Sequence, residues 1–418
     1  MFEVAATCLV LTAVLAYINK RFLGLPTVIG VMTIALLLSF ALIGLDQIGF
    51  RDLQEYEESL IASIDFSTVL MQGMLSLLLF AGALHIDVAE LKANWWQVSV
   101  LALVGTVVSA FLIAGALWFF LPLLGLGLPW LYCLMFGALI SPTDPVAVIG
   151  ILKSAGAPKS LEVVISSESL FNDGVGVVMF LLLLRMLTTG GSPTFGDAAL
   201  LLAREAGGGI AFGWLLGYVT YRMLKSIDSY QEEVLLTLAA VMGGYALAAR
   251  LQVSGPLAMV AAGLVVGHHG RALAMSDTTR RHVDMFWELI DAILNCVLFV
   301  LIGMQVIVVA FPANALAASL GAILITLSAR LLTVAAPVLS FKRAFRLPQG
   351  AWQVLTWGGL RGGISVALAL ALPAGPERNV LLALTYSVVV FSILVQGLTI
   401  RAVTRATADC TAQENPAH

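Results

Sequence analysis

Long runs of apolar residues constrain this chain more than any other feature of its sequence. Thirteen stretches approach the ~20 residues that an α-helix needs to cross the hydrocarbon core of a membrane. Inside hydrocarbon every backbone N–H and C=O group must be satisfied within the chain, so these stretches predict helices rather than open sheets. The predicted spans cover residues 4–19, 22–45, 65–86, 96–122, 129–151, 161–187, 203–224, 233–250, 256–268, 285–310, 315–341, 351–372 and 380–401.

Composition supports the same fold class and excludes most soluble ones. Of the 418 residues, 60% are hydrophobic and only 11% are charged, and the mean hydropathy is +0.98. These values indicate an all-α polytopic membrane protein rather than a soluble enzyme or a nucleic-acid-binding domain. No GxxxxGK[ST] motif occurs, which argues against a nucleotide partner and an ATP-driven pump. The four cysteines are scattered, so nothing in the sequence predicts a cofactor, a resident metal or a disulfide framework.

The distribution of lysine and arginine predicts the orientation in the membrane. If the N-terminus lies outside, most of the 22 Lys and Arg residues fall in inner loops and in the C-terminal tail, as the positive-inside rule requires. The sequence therefore predicts a multi-pass protein of the cell inner (plasma) membrane with a cytoplasmic C-terminus. Residues 1–405 form the transmembrane unit and 406–418 a short cytoplasmic tail. The acidic loop at 46–64 would face outside.

Charged residues inside the apolar stretches mark the candidate functional site. Asp173 lies in the sixth predicted span, Asp144 in the fifth and Arg330 in the eleventh. A charge near the bilayer centre is costly unless it is partnered, hydrated or protonated, so an intramembrane carboxylate is a candidate ion or proton site by default. Acidic groups at one depth therefore predict a pathway for cations, and no pattern predicts enzymatic catalysis.

Helical spacing divides the polar residues of the sixth span between two faces. Ser169 and Asp173 are four residues apart and share a face, as do Glu168 and Asn172. Glu168 and Asp173 are turned by roughly 140° from each other at 3.6 residues per turn. Ser169 and Asp173 can together offer oxygen ligands to a small cation. Glu168 needs its own partner, because a free buried carboxylate is costly, and Arg330 is the predicted one.

Two spans contain residues that interrupt a helix. Pro142 and Pro145 flank Asp144 in the fifth span, and proline removes a backbone donor and clashes with the preceding turn. The glycine-rich segment 358–363 surrounds Arg361 in the twelfth span, where the arginine would offset exposed carbonyl ends. Each span is the penultimate one of a six-span half. This spacing predicts two inverted six-helix repeats with discontinuous crossing helices 5 and 12.

The tenth span carries a further polar face near its predicted inner end. Glu288, Asp291 and Asn295 recur there at helical spacing. They suit either a cytoplasmic funnel for ions or anchoring at the membrane interface, and the sequence leaves both interpretations open. In the seventh span, Gly209, Gly213 and Gly217 permit close helix packing, which we expect within the chain rather than between chains.

These motifs resemble the NhaP-type monovalent cation/proton antiporters, relatives of the animal sodium/proton exchangers. The resemblance runs over nearly the whole chain and is most specific where Thr143, Asp144 and Pro145 combine with Asn172 and Asp173. It implies an antiporter in which Asp173 alternately carries Na⁺ (or Li⁺) and H⁺.

The same resemblance implies roles for other residues. Thr143, Asp144 and Ser169 would belong to the ion site, Asn172 would mark electroneutral one-for-one exchange, and Glu168 with Arg330 would form a structural ion pair. It also implies a homodimer with elevator-type alternating access. A core domain including helices 4–6 and 11–13 would move against a dimerisation domain including helices 1–3 and 7–10. One departure is Ala81, where many relatives have glutamate.

Other functions share some of these features. A cation channel would use similar acidic residues without tight proton coupling. An intramembrane aspartyl protease would pair Asp144 with Asp173, but the sequence around Asp173 lacks a Gly-x-Gly-Asp arrangement. Among antiporters, K⁺/H⁺ exchange stays open beside Na⁺/H⁺ exchange, because both cations use oxygen ligands and differ in cavity size and ligand number.

Overall fold

The computed structural model describes residues 2–46, 73–155, 159–189, 203–270, 275–307, 314–341, 345, 347–348 and 350–414. Throughout these ranges the regular structure is helical, with no β-strand, and one isolated β-type bridge joins Asp144 to Leu360. The predicted all-α class is therefore confirmed. Apart from residue 46, the predicted acidic loop at 46–64 lies outside the described residues.

The helices are numbered here in chain order. They are α1 (Phe2–Ile18), α2 (Thr27–Asp46), α3 (Leu75–Leu84), α4 (Val88–Ala93), α5 (Trp95–Leu124), α6 (Trp130–Ile140), α7 (Val146–Ala155), α8 (Lys159–Thr189), α9 (Gly208–Leu224), α10 (Tyr230–Leu251), α11 (Gly255–Val265), α12 (Asp277–Met304), α13 (Ala315–Ser340), α14 (Ala351–Trp357), α15 (Gly363–Leu370), α16 (Pro376–Phe391) and α17 (Gly397–Glu414). A π-helical turn, Ser392–Gln396, joins α16 to α17.

Eight helices in the described part of the chain are long and apolar enough to cross a membrane, namely Ala6–Leu23, Thr27–Gly44, Trp95–Leu124, Lys159–Thr188, Tyr230–Leu251, Asp277–Met304, Leu316–Ser340 and Pro376–Thr407. Large apolar side chains on the surface, such as Phe22, Leu123 and Leu316, are 75%, 81% and 74% exposed. Such an apolar surface suits contact with lipid rather than with water. The chain is a multi-pass membrane protein. The count of thirteen spans stays a prediction, because α3, α6 and α11 are shorter than this length.

The helices pack in two groups. In the first group α9 packs on α11, α11 on α3, α3 on α12, and α12 on α2 and α1, while α10 contacts α9, α11 and α12. In the second, α5 packs on α6 and α13, α6 on α8, and α13 on α14 and α16. The groups meet where α8 contacts α3 and α11 and where α12 contacts α15. The helices that carry the predicted site residues therefore lie in the second group, beside this boundary.

The glycine stripe of α9 faces the backbone of α11. A Cβ added at Gly213 would lie 2.7 Å from the Cα of Ala258, and one added at Gly217 would lie 3.0 Å from the Cα of Ala262. Real side chains do not approach so closely, so the contact requires glycine at these positions. The expected packing of this stripe within the chain is confirmed.

Candidate ion-binding site

The two interrupted spans meet at one point. Residues 141–145 separate α6 from α7, and residues 358–362 separate α14 from α15. Where these extended segments cross, the backbone N–H of Asp144 donates to the carbonyl of Leu360 at 2.7 Å. Both helices thus break where prolines and glycines predict, and the breaks are joined through their main chains.

Arg361 neutralises the end of a helix in the opposite segment. Its side chain is 2% exposed and donates hydrogen bonds to the carbonyls of Ser141 and of Pro142, the latter at 2.9 Å. These carbonyls lie at the C-terminal end of α6, where unpaired C=O groups carry partial negative charge. The backbone N–H of Arg361 donates to Ser392 Oγ at 2.9 Å. The arginine therefore joins the two segments through hydrogen bonds to main-chain carbonyls.

Thr143 links the first break to α8. Its backbone N–H donates to Asn172 Oδ1 at 3.1 Å, and Asn172 Nδ2 donates back to Thr143 Oγ1 at 2.8 Å. The same Oγ1 lies 2.9 Å from Ser169 Oγ. All three side chains are buried. Residues from both predicted faces of this helix thus meet at one threonine, which fixes the position of the neighbouring Asp144.

Glu168 and Arg330 lie together away from this network. Arg330 donates to both carboxylate oxygens of Glu168, at 2.5 Å and 3.0 Å, and to the carbonyl of Leu355 at 3.0 Å. Glu168 is 1% exposed and Arg330 is 7% exposed. The structure brings together the two residues that the sequence analysis paired. It thereby ties α8, α13 and α14 to one another and neutralises one of the buried acids.

A cavity of about 550 Å³ opens beside the crossing. Thr143, Asp144 and Asp173 line it, whereas Ser169 and Asn172 are buried behind Thr143. Asp144 Oδ1 accepts a hydrogen bond from the N–H of Val146 at 2.9 Å. Within the described ranges, the carboxylate of Asp173 has neither an ion pair nor a hydrogen bond. Two acidic groups that form no ion pair with any described residue therefore face the same space.

A third carboxylate of the cavity comes from the other helix group. Asp291 of α12 lines the same space, and the negative charge of Asp144 acts on both Asp173 and Asp291. Glu288 and Asn295 are lining residues as well, so the polar face of the tenth predicted span borders the cavity. Mutual repulsion of these carboxylates makes a bound proton or cation favourable. In the part of the chain described, no three His, Cys, Asp or Glu residues form a cluster able to hold a metal.

Sequence reasoning missed several further polar residues of the cavity wall. His85, Asp87 and Glu162 line it, although none lies beside the motifs of the interrupted spans. Their only signal in the sequence is that each is polar and close to the end of an apolar stretch. Such a position fits ordinary interfacial residues equally well, so the sequence alone could not single them out. Ala81 also lines the cavity and contributes no oxygen to it.

An all-helical membrane protein in which two interrupted helices cross beside unpaired carboxylates has the architecture of a secondary transporter. Residues 10–406 match the family model described as sodium/hydrogen exchanger, transmembrane. The chain belongs to this family.

Individual relatives extend over nearly the whole chain. It is 51% identical over 404 residues to the Na⁺/H⁺ antiporter NhaP of Pseudomonas aeruginosa, covering 96% of this chain and 95% of that protein. It is 34% identical over 373 residues to the Na⁺/H⁺ antiporter NhaH of Halobacillus dabanensis, covering 88% and 90%. Its fold is similar to that of the sodium proton antiporter MjNhaP1 from Methanocaldococcus jannaschii, with a TM-score of 0.75, 20% identity, and coverage of 96% and 97%.

Proposed function

We propose that this protein is a secondary active antiporter that exchanges Na⁺ or Li⁺ for H⁺, with Asp173 as the shared site. The observation that carries the proposal is the contrast between two acids on one helix, the buried Glu168 and the cavity-lining Asp173. Glu168 is neutralised by Arg330, whereas Asp173 lines the cavity beside Asp144 and forms no ion pair with any described residue. The relatives named as Na⁺/H⁺ antiporters support the choice of ions.

The proposed ligands are hard oxygen atoms around one end of the cavity. The carboxylates of Asp173 and Asp144 supply charge, and the hydroxyl of Thr143 supplies a neutral oxygen. The hydroxyl of Ser169 lies behind it, 2.9 Å from Thr143 Oγ1, and would become a ligand only if Thr143 shifted aside. Asn172 holds Thr143 in place through two hydrogen bonds. A proton on Asp173 removes the charge that attracts the cation, and a bound cation disfavours protonation. Proton and cation therefore exclude each other at this carboxylate.

We infer one-for-one exchange from the charge of the loaded states. Asp173 carrying a proton and Asp173 carrying a monovalent cation have the same net charge. The neighbouring Asn172 adds no titrating group on this helix. Each turnover then moves no net charge across the membrane.

Alternating access would follow from movement of the two helix groups against each other. The proposed core domain comprises α5–α8 and α13–α17, and the proposed dimerisation domain comprises α1–α3 and α9–α12. Residues of both groups line the cavity, which supports a sliding boundary there. The mouth residues Asp87 and Lys159 fall in predicted inner segments. We therefore assign an inward-open state of an elevator-type homodimer, with thirteen spans, two inverted repeats and an external N-terminus.

Proteoliposome exchange with Na⁺, Li⁺ and K⁺ supplied separately under a pH gradient tests the proposal. The wild-type protein should dissipate the gradient with Na⁺ or Li⁺, and Asp173→Asn should fold and abolish exchange, because an amide neither carries the proton nor supplies the counter-charge. Asp87→Asn is the matched control. It makes the same chemical change at the cavity mouth, and asparagine still caps α4, where Asp87 accepts from Ala89 N–H.

The outcomes separate the competing functions. A wild-type rate in Asp173→Asn would contradict the shared site. Dissipation by K⁺ alone would identify a K⁺/H⁺ antiporter, and cation flux without proton movement would identify a channel.

A further inference from the structure

A second, much smaller cavity lies beside the Arg330 guanidinium. Its volume is about 10 Å³, and it shares no lining residue with the cavity of about 550 Å³ at the crossing. A space of this size suits one water-sized molecule. Its polar wall comes from α13, α14, the glycine-rich break and the π-helical turn, and consists of Thr326, Arg330, Thr356, Arg361 and Gln396.

Two buried polar atoms of this wall lack a protein partner. Within the part of the chain that the structure describes, neither Thr326 Oγ1 nor Arg330 Nε makes a hydrogen bond. The two residues are 3% and 7% exposed. They stand four positions apart on α13 and therefore share one face of that helix. Native proteins nearly always supply a partner for such atoms, because leaving them unpaired costs free energy.

The Nε edge of Arg330 is turned toward the cavity. The other two nitrogens of the guanidinium are occupied by Glu168 and by the carbonyl of Leu355. A Cβ added at Gly359, which also lines the cavity, would lie 2.7 Å from Arg330 Nε. The N–H group thus faces a residue that has no side chain to cover it.

Two other wall residues offer acceptors to a bound molecule. Gln396 Nε2 donates to the carbonyl of Trp357 at 3.1 Å, which leaves Oε1 of the same amide as an acceptor. Thr356 Oγ1 donates to the carbonyl of Trp352 at 2.6 Å and keeps its lone pairs. A molecule that accepts one hydrogen bond from Nε and donates two to oxygen atoms matches this wall.

We propose that this cavity is the binding site of one resident water molecule, which accepts from Arg330 Nε and donates to Thr326 Oγ1. Its second hydrogen meets an oxygen on the opposite wall, which gives the three hydrogen bonds that are typical of a buried water. A chloride ion fits less well, because it is larger and the nearby positive charges are already met. Glu168 neutralises Arg330, and Arg361 donates to main-chain carbonyls.

The bound water completes the bonding of the Arg330 guanidinium. Glu168 and Leu355 hold two of its nitrogens, and the water holds the third. The arginine is then fixed in one orientation beside Glu168, and the ion pair is linked to the wall that Gln396 supplies. The water site does not depend on which ions the protein exchanges.

A crystal structure of the full chain, at a resolution that shows ordered water, tests the assignment directly. Wild-type density should contain a peak within about 3.2 Å of both Thr326 Oγ1 and Arg330 Nε. Absence of the peak would overturn the proposal. Crystals grown with bromide in place of chloride distinguish the occupants, because an anomalous signal at this position would identify a halide and would equally overturn it.

Thermal unfolding of variants in detergent tests the bridge energetically. Thr326→Val removes the hydroxyl at nearly constant shape and should lower the Tm by about 1 to 3 °C, as expected for a buried hydrogen bond lost from a chain of this size. Arg330→Lys keeps a positive charge for Glu168 but has no N–H at the Nε position. In that background Thr326→Val should lower the Tm by less than half as much, because the bridge is already broken.

Thr333 supplies a matched control on the same helix. Its hydroxyl donates to the carbonyls of Ala329 and Arg330, at 2.9 Å and 3.2 Å, and it does not line the cavity. The Tm losses of Thr333→Val and Arg330→Lys should therefore add. Equally additive losses for Thr326→Val would contradict the bridge. If Arg330→Lys does not fold, the wild-type density alone decides between a bound water and a dry cavity.

Discussion

The buried ion pair between Glu168 and Arg330 allows a quantitative test of how the site region is held together. Removing one member of a buried pair leaves an uncompensated charge and typically costs about 3 to 5 kcal/mol. After Glu168→Gln, Arg330 keeps its hydrogen bond to the carbonyl of Leu355, so we expect a loss of about 3 kcal/mol, at the lower end of that range. Arg330→Met leaves the Glu168 carboxylate without its two donors, so we expect about 4 to 5 kcal/mol.

The double variant should be less destabilised than the sum of the single losses, because it leaves neither charge unpaired. We expect a coupling free energy of about 2 to 4 kcal/mol, from denaturant unfolding of the four proteins in detergent micelles. The pair Arg185 and Glu205 is the control, since its N and O atoms are 3.7 Å apart and the Arg185 side chain is 58% exposed. Its coupling should stay below about 1 kcal/mol. Strictly additive losses at Glu168 and Arg330 would refute the reasoning.

Other parts of the site give further measurable outcomes. Gly362→Ala should slow exchange by about tenfold or more, because its Cβ would lie 2.7 Å from that of Asp144. Gly150→Ala is the control, since its Cβ would meet nothing within 4 Å. Equal exchange rates of the two variants would contradict the prediction. Asp291→Asn should raise the apparent KM for Na⁺ several-fold, because the carboxylate concentrates cations in the cavity. An unchanged KM would show that Asp291 does not contribute to cation binding. In liposomes with a clamped potential the exchange rate should not depend on voltage, and a sustained current would require a titrating group besides Asp173.

Local sequence chemistry was sufficient to predict one helix break and one buried ion pair. Proline removes a helix donor wherever it stands, so Pro142 and Pro145 located one break without knowledge of the fold. Burial of Glu168 demanded a counter-charge, and few basic residues lie inside predicted spans, so Arg330 could be chosen as its partner. The break depends only on the prolines themselves, and the counter-charge of Glu168 has very few candidate residues.

Contacts between distant segments could not be predicted in the same way. Nothing in the sequence indicates that Asn172 and Ser169 converge on Thr143, because their three-residue spacing makes them neighbours on the helix but does not show which residue of another segment lies against them. The same holds for Arg361, which bonds to carbonyls about 220 positions earlier in the chain. Every residue has a main-chain carbonyl that can accept such a bond, so the side chains of Ser141 and Pro142 do not indicate that Arg361 binds there.

The main-chain hydrogen bond between Asp144 and Leu360 has a consequence for how ion preference can change. This hydrogen bond uses backbone atoms only, and the Arg361 guanidinium likewise donates to main-chain carbonyls rather than to side chains. The register of the crossing is therefore largely independent of the side chains that line the cavity. Substitution elsewhere on the cavity wall can enlarge or shrink the space for a cation while the backbone keeps its place. A scaffold of this kind can diversify toward cations of different radius through single replacements.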